Sequence, residues 1–446
     1  MRPVDPAAFT PNFDYKASGG AETKSLFAEG VPLEKIAQQV GTPAYVYSRA
    51  SIESAYRALD KALTAIPHSL CYAMKANSNL SVLRLLAKLG SSFDIVSGGE
   101  LDRLRRIGVS GNRIVFSGVG KTREEIRDAL RCPSTRAAKS RSGILLFNVE
   151  SEAELELLVE ESERHVSSGG TRPSLAIRVN PDVMAGGHPH ISTGEHHHKF
   201  GIDWQPARHL YLAHKDSRWI SWRGISAHIG SQILSVAPYC RAVARLASYV
   251  RDLARMGVRL DYLDIGGGLG IRYTDEAPLV QAEYARTLIR AVRPLGCHLI
   301  VEPGRAIVGS AGVLLTRVLY VKENREKTFV IVDAAMNDLI RPVLYDATHP
   351  ITPVKQPGAR ANRAGMKRVD VVGPVCESGD FLARDWPLAP VSAGDLLVVW
   401  AAGAYAFAQS SNYNARRRPA EVLVEGSRYR VVRKRQSYGD LVRGET

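Results

Sequence analysis

Cysteine is scarce in this chain. Cys71, Cys132, Cys240, Cys297 and Cys376 are the five present in 446 residues. The count is odd, the gaps are wide and no C-x-x-C occurs. That argues against a disulfide framework or a thiolate zinc site and suits a reducing, cytoplasmic setting. Long apolar runs are also missing. A long uncharged stretch, Leu396 to Tyr413, is interrupted by Gly403 and turns polar at Ser410-Ser411-Asn412, so no membrane span is expected. Pro3, Asp5 and Pro6 break up the first residues, and no secretory leader is expected there. No internal repeat is visible. Apolar residues at 45% and charged residues at 23% are ordinary globular values, which excludes disorder as the main state.

Acidic residues are outnumbered. Lys and Arg total 59 against 45 Asp and Glu, a net charge of +14. A basic balance raises the question of nucleic acid. The charge is spread along the chain, however, and dense only at Arg416-Arg417-Arg418 and Arg433-Lys434-Arg435. No nucleic-acid motif lies near either cluster, so both are read as solvated surface and no nucleic-acid partner is expected.

A chain of 446 residues fits two or three domains, or a barrel of about 250 residues with a smaller partner. Eight short apolar runs alternate with helix-period segments: Leu70–Met74, Phe93–Val96, Arg113–Phe116, Ile144–Phe147, Leu175–Val179, Gly224–His228, Tyr262–Ile265 and Leu299–Val301. Runs of that length and β-rich composition predict buried parallel strands, and eight strand–helix units predict a closed (β/α)8 barrel of the TIM type over residues 48–310. After Gly309 the rhythm changes to strands with few helices between them. Residues 311–446 are therefore expected to form a C-terminal β domain, a sandwich or barrel, with residues 1–47 packing against it. Arg131–Gly143 reads as a basic surface insertion. Pro181–Gly201 reads as a long loop of the kind that covers an active site. Its His196-His197-His198 triplet has no carboxylate or thiol cluster to complete a metal site, and no metal is expected.

Barrel enzymes carry their chemistry at the C-terminal ends of the strands. Five of these ends are polar or glycine-rich: Tyr72-Ala-Met-Lys75-Ala-Asn77, Asp94-Ile-Val-Ser97-Gly-Gly-Glu100, His228-Ile-Gly230-Ser231-Gln232, Asp264-Ile-Gly266-Gly267-Gly268-Leu-Gly270 and Glu302-Pro-Gly304-Arg305. Lys75 directly follows an apolar run. Partial desolvation there would favour a neutral, nucleophilic amine, although a lysine snorkelling to water fits as well. The glycines after the seventh strand can converge backbone N–H groups on a phosphate, with Gly230 and Ser231 adding donors; glycine clusters also serve ordinary turns. Glu302 and Arg305 form either a local ion pair or a carboxylate for a cationic ring nitrogen beside an arginine for an anion. His228 is either a satisfied core histidine or an aromatic stacker. A lysine amine, phosphate-binding glycines, a carboxylate for a ring nitrogen and a stacking ring together describe a pyridoxal 5'-phosphate site.

In order, YAMKAN, FDIVSGGE, HIGSQ, DIGGGLG and EPGR resemble the motifs of the fold-type III pyridoxal-phosphate decarboxylases. Farther on, Asp333-Ala-Ala-Met-Asn-Asp-Leu-Ile-Arg341-Pro-Val-Leu-Tyr345, Gly373-Pro-Val-Cys376-Glu377-Ser378-Gly-Asp380, Gly403-Ala-Tyr405 and Ser411-Asn-Tyr413-Asn resemble the meso-diaminopimelate decarboxylases among them. The resemblance runs from about Ala44 to Val424. It implies that Lys75 carries the cofactor as a Schiff base, His228 stacks on the ring and Glu302 pairs with its nitrogen. Asp94, Gly230, Ser231, Gly266, Gly267, Gly268, Gly304, Arg305 and Tyr405 are implied as further cofactor contacts. Arg305, Arg341, Tyr345, Glu377 and Tyr405 would grip the substrate, and Cys376 would donate a proton into the site of a partner subunit in a homodimer. The implied reaction converts meso-2,6-diaminopimelate to L-lysine and CO2. Ornithine, arginine and carboxynorspermidine decarboxylases share the fold and are the alternatives. The sequence departs from the family pattern at Ser91-Ser92, where glycine is common, at Arg417, and in the Arg131–Gly143 insertion.

Overall fold

A computed structural model describes residues 6–17, 23–133, 143–183, 199–356 and 365–446. Most of the Arg131–Gly143 insertion and of the Pro181–Gly201 loop, with the histidine triplet, lies outside these residues. The chain divides into two compact units. One comprises Met1–Ala55, Ile271–Ala277 and Arg305–Thr446, and the other Tyr56–Gly270 and Pro278–Gly304.

The first unit takes β1 (Phe13–Ala17), β2 (Lys24–Ala28), β3 (Val31–Pro32) and β4 (Ala44–Ser48) from the N-terminal segment. A helix over Leu33–Val40 follows β3, and Pro32 in extended conformation precedes its first turn. Pro restricts its own φ and the residue before it, which favours a strand end followed by a helix start.

The second unit is a closed barrel. Its strands are β5 (His68–Ala73), β6 (Ser92–Ile95), β7 (Ile114–Phe116), β8 (Leu146–Val149), β9 (Ser174–Arg178), β10 (Ser221–Ser226), β11 (Tyr262–Asp264) and β12 (His298–Val301). All neighbours are parallel, and the ring closes where Leu299, Ile300 and Val301 pair with His68, Ser69 and Leu70. The eight runs read from the sequence are these eight strands. Cys71, Val115, Leu146, Ala176 and Ile300 pack together as a buried cluster drawn from five of them. Capping side chains start several of the intervening helices. Ser97, Thr122 and Ser151 each accept a backbone N–H three residues on, opening Gly98–Ile107, Arg123–Leu130 and Glu152–Ser167. The unusual Ser91 is fully buried, and its hydroxyl donates to the Leu70 carbonyl at 3.1 Å, tying the entry of β6 to β5.

The rest of the first unit is β-rich. It contains β13 (Gly312–Glu323), β14 (Thr328–Val332), β15 (Ile351–Pro353), β16 (Lys355–Gln356), β17 (Lys367–Val372), β18 (Phe381–Leu388), β19 (Leu396–Val399), β20 (Ala420–Glu425) and β21 (Arg428–Arg433). Nine strands form one mixed sheet, in which β4 lies between β13 and β20 and β19 joins β13 to β15. A four-stranded companion holds β1, β2, β3 and β16. Phe13, Leu26, Val46, Val313, Trp400 and Val422 share a buried core. No helix among the described residues is long and apolar enough to cross a membrane.

Candidate active site

Six side chains at the ends of barrel strands, Lys75, Asn148, Arg178, His228, Asp264 and Glu302, meet in a cavity of about 380 Å³. Lys75 sits in the short 3-10 turn Met74–Ala76 that continues β5. Its Nζ donates to Asp94 Oδ2 at 2.9 Å. Asp94 lies on β6 and is fully buried, and its Oδ1 has no hydrogen-bond partner. Gly304, in the turn after β12, allows that packing, because a Cβ there would stand 3.0 Å from the Ala76 side chain and 3.2 Å from that of Ala73.

Carboxylates are crowded below the lysine. Burial pushes Glu302 well above the usual carboxylate range, and neighbouring Asp264 and Asp94 push it further, while Lys75 opposes them. Asp264 is raised too, mainly by burial, against hydrogen bonds from Glu302, Gly266 and Asn148. Asn148 donates to Asp264 Oδ2 at 3.0 Å and to Ser117 Oγ at 3.1 Å. Three buried carboxyl groups beside one lysine form a site that favours an added cation.

His228 follows β10. Its Nδ1 accepts the Gly267 N–H at 3.1 Å, so that nitrogen carries no proton. Burial lowers its pKa well below the usual value, and Arg178 and Lys75 lower it further. The ring is therefore neutral and partly exposed to the cavity. Around it the glycines have no room for side chains. A Cβ on Gly266, at φ 66°, would stand 2.6 Å from His228 Nδ1, and one on Gly268, at φ 98°, would stand 2.6 Å from the Gly230 carbonyl. The loop of Gly230 and Ser231 and the loop of Gly266 to Gly268 thus lie against each other, joined by an Ile233 N–H to Gly268 carbonyl bond of 2.9 Å.

These features fit pyridoxal phosphate. The glycine cradle can close on a phosphate, and a protonated ring nitrogen would supply the cation that Glu302 and Asp264 lack. The neutral His228 ring can lie on a flat ligand, and the unpartnered Asp94 oxygen remains available to a donor.

The other unit gathers a second group. Arg305 and Arg341 are both buried, and both donate to the phenol oxygen of Tyr273. Burial alone would raise that phenol, yet the two guanidinium charges bring its pKa below the ordinary value. Arg305 also stands 4.9 Å from the centre of the Tyr405 ring, and Tyr405 itself holds a positive φ of 55°. Tyr345 is close enough to stabilise the charge of both arginines, and it accepts a hydrogen bond from Gln409 at 3.1 Å. Cys376 and Glu377 lie apart from this cluster, on an exposed turn where the Cys376 N–H donates to Asn414 Oδ1 at 3.0 Å.

Sequence reasoning passed over Ser117, Asn148, Arg178, Tyr273 and His349, and it quoted Asp264 without giving it a role. The first three lie at or near the ends of strands β7, β8 and β9, so the strand-end rule applied to all eight strands would have found them. Tyr273 and His349 carry no local signal. Among the described residues no cluster of three or more His, Cys, Asp or Glu side chains is placed to hold a metal ion.

Comparisons with known proteins agree with this geometry. Residues 49–309 match the pyridoxal binding domain of the pyridoxal-dependent decarboxylases. A diaminopimelate decarboxylase of Pseudomonas aeruginosa is 48% identical over 421 residues, covering 94% of this chain and 97% of its own length. The crystal structure of diaminopimelate decarboxylase from Helicobacter pylori, complexed with L-lysine, superposes with a TM-score of 0.85 at 39% identity, over 92% of this chain and 98% of its own. That from M. jannaschii, also with L-lysine, gives a TM-score of 0.87 at 33% identity and covers 98% of each chain. The barrel with its β-rich companion, the lysine and glycine constellation and these likenesses together place the chain in the diaminopimelate decarboxylase family of pyridoxal-dependent carboxy-lyases.

Proposed function

We propose that this chain removes one carboxylate of meso-2,6-diaminopimelate as CO2 and releases L-lysine, the last step of lysine biosynthesis. The observation that carries the reading is Lys75 Nζ held 2.9 Å from buried Asp94, on a cavity that His228 and Glu302 also line.

Pyridoxal phosphate, when bound, supplies an electron sink for the charge left behind as CO2 departs. Lys75 is the amine that would hold it, with Asp94 fixing the position of Nζ. With the ring bound, Glu302 would hold a negative charge against its nitrogen, and Asp264, itself held by Asn148, keeps Glu302 in place. Neutral His228 presents its face. Gly230, Ser231 and Gly266 to Gly268 would receive the phosphate. The substrate differs from ornithine and arginine at its far end, which bears a second carboxylate and a second amine. Arg305, Arg341 and Tyr345 suit that carboxylate, and Glu377 suits the amine. Cys376 is assigned the proton returned to the carbon, delivered from the partner subunit of a homodimer. A polar, exposed turn supports that assignment better than a core position would. A cytoplasmic enzyme is supported by the five free cysteines, none of them paired.

Purified enzyme offered meso-diaminopimelate, ornithine and arginine tests the reading by CO2 release. Faster release from ornithine or arginine than from diaminopimelate would overturn it.

A further inference from the structure

Arg341 is held from behind by a residue that no part of the proposed chemistry uses. His349 is fully buried, and its two ring nitrogens face different partners. Nδ1 lies 2.8 Å from the carbonyl oxygen of Trp400, and Nε2 lies 2.7 Å from Arg341 Nη1. A carbonyl accepts and cannot donate, so Nδ1 must carry the ring proton. A guanidinium donates and cannot accept, so Nε2 must carry the lone pair. One tautomer satisfies both contacts, and it is uncharged. The protonated ring would turn an N–H toward the guanidinium and place two cations in contact.

The anchor is rigid. The N–H of Trp400 donates to the Pro350 carbonyl at 2.9 Å, so the His349-Pro350 segment and Trp400 are tied in both directions. The indole Nε1 donates to Thr352 Oγ1 at 2.9 Å, and the Trp400 side chain lies in the sheet core against Phe13. On the other side Tyr273 packs edge-on against the His349 ring, with centroids 5.2 Å apart, and accepts from Arg341 through its phenol. Arg341 is thus gripped by two acceptors, neither of them a carboxylate. A carboxylate partner would neutralise the guanidinium. A neutral imidazole orients it and leaves its full charge for an incoming anion. Burial together with Arg341 drives the imidazole pKa down to about 3, so this arrangement holds throughout the working range of pH.

We propose that His349 is a specificity-determining positioning residue, a tautomer-locked acceptor that aims Arg341 at the carboxylate retained by the product. The proposal rests on the substrate reading above and deepens it. L-lysine retains the L centre of meso-diaminopimelate, so the carboxylate at the D centre is the one lost and the L carboxylate is the group that Arg341 would grip.

Two inhibitors separate this role from a general structural one. L-lysine carries the gripped carboxylate; 1,5-diaminopentane has the same chain and terminal amines without it. Inhibition constants for both are measured on wild-type holoenzyme, on His349→Phe and on His349→Gln, with cofactor content and thermal midpoint recorded for each. Phenylalanine keeps a flat ring and removes both polar nitrogens. Glutamine restores one donor and one acceptor. In His349→Phe the constant for L-lysine should rise about tenfold or more. The constant for 1,5-diaminopentane should stay within about twofold of wild type, and KM for diaminopimelate should rise more than kcat falls. His349→Gln should recover most of the L-lysine affinity. Wild-type turnover of meso-diaminopimelate is measured first and decides the substrate reading by itself. If both inhibitors weaken equally, or neither does, in folded and cofactor-loaded His349→Phe, the role assigned to His349 is wrong. Should His349→Phe fail to fold, the same comparison is made in His349→Leu, which also lacks both polar nitrogens: selective loss of L-lysine affinity is expected there, and its retention overturns the proposal.

Discussion

Asp94 is fully buried and its partner Lys75 is not: 36% of the lysine side chain is exposed while the carboxylate 2.9 Å away is sealed. Loss of a rim lysine ordinarily costs little stability. Here it strands a buried carboxylate. Lys75→Ala should therefore abolish turnover and also lower unfolding free energy by about 1–3 kcal/mol in the cofactor-free protein. Adding Asp94→Asn should return most of that stability and none of the activity. Chemical denaturation of the two variants checks it, and a Lys75→Ala chain as stable as wild type would show that the pair contributes nothing to folding.

Arg341→Ala should weaken binding of L-lysine by about 10- to 150-fold, the worth of a charge-assisted pair of roughly 1.5–3 kcal/mol. Cofactor content should not change. Titration of the holoenzyme with L-lysine reads the first and absorbance of the bound chromophore the second. Unchanged L-lysine affinity would mean that Arg341 faces something else.

Burial pushes the Asp338 carboxyl up to about 7, with Asp333 adding to the rise and the Ala335 N–H and Arg416 opposing it. Its unfolded value is near 3.9. The folded state therefore binds the proton more tightly. This contribution is fully present below about pH 4 and is lost as pH rises through about 7. A shift of that size corresponds to at most about 4 kcal/mol. Asp338→Asn should flatten the decline in stability between pH 5 and pH 8, measured by urea unfolding at each pH. Identical slopes in variant and wild type would show that Asp338 is ionised in the fold.

If Cys376 serves the Lys75 of a partner chain, two dead variants should rescue each other. Lys75→Ala and Cys376→Ala chains, mixed through dissociation and reassociation, would form about half hybrid dimers, each with one intact site, so roughly a quarter of all sites should recover. A mixture that stays inactive, although hybrids are shown to form, places both residues in one chain.

The barrel was legible because its strands obey a strong rule. Parallel strands buried on both faces read as short apolar runs, and the eight runs in the sequence are short and most are β-rich. The strand Phe381–Leu388 was not legible. It carries Arg384, Asp385 and Pro387, its pairing with Lys367–Val372 shifts register, and Asp385 takes a positive φ of 50°. It lies at the end of the sheet order, where a proline and a bulge are tolerated. The same contrast holds at the site. Lys75, His228 and Glu302 announce themselves by following apolar runs. Tyr273 and His349 sit in loops, and their importance comes only from the arginines that tertiary packing brings to them.

Gly267 has one further consequence. A Cβ at that position would lie 2.2 Å from the carbonyl oxygen of Glu302. The loop proposed for the phosphate and the turn proposed for the ring nitrogen therefore touch backbone to backbone, with no side chain between them to absorb a displacement. The two ends of the cofactor cradle behave as one casting. A change that widens the phosphate end drags the ring-nitrogen end with it, so the grip on one end of the ligand cannot be retuned while the proton balance at the other stays fixed.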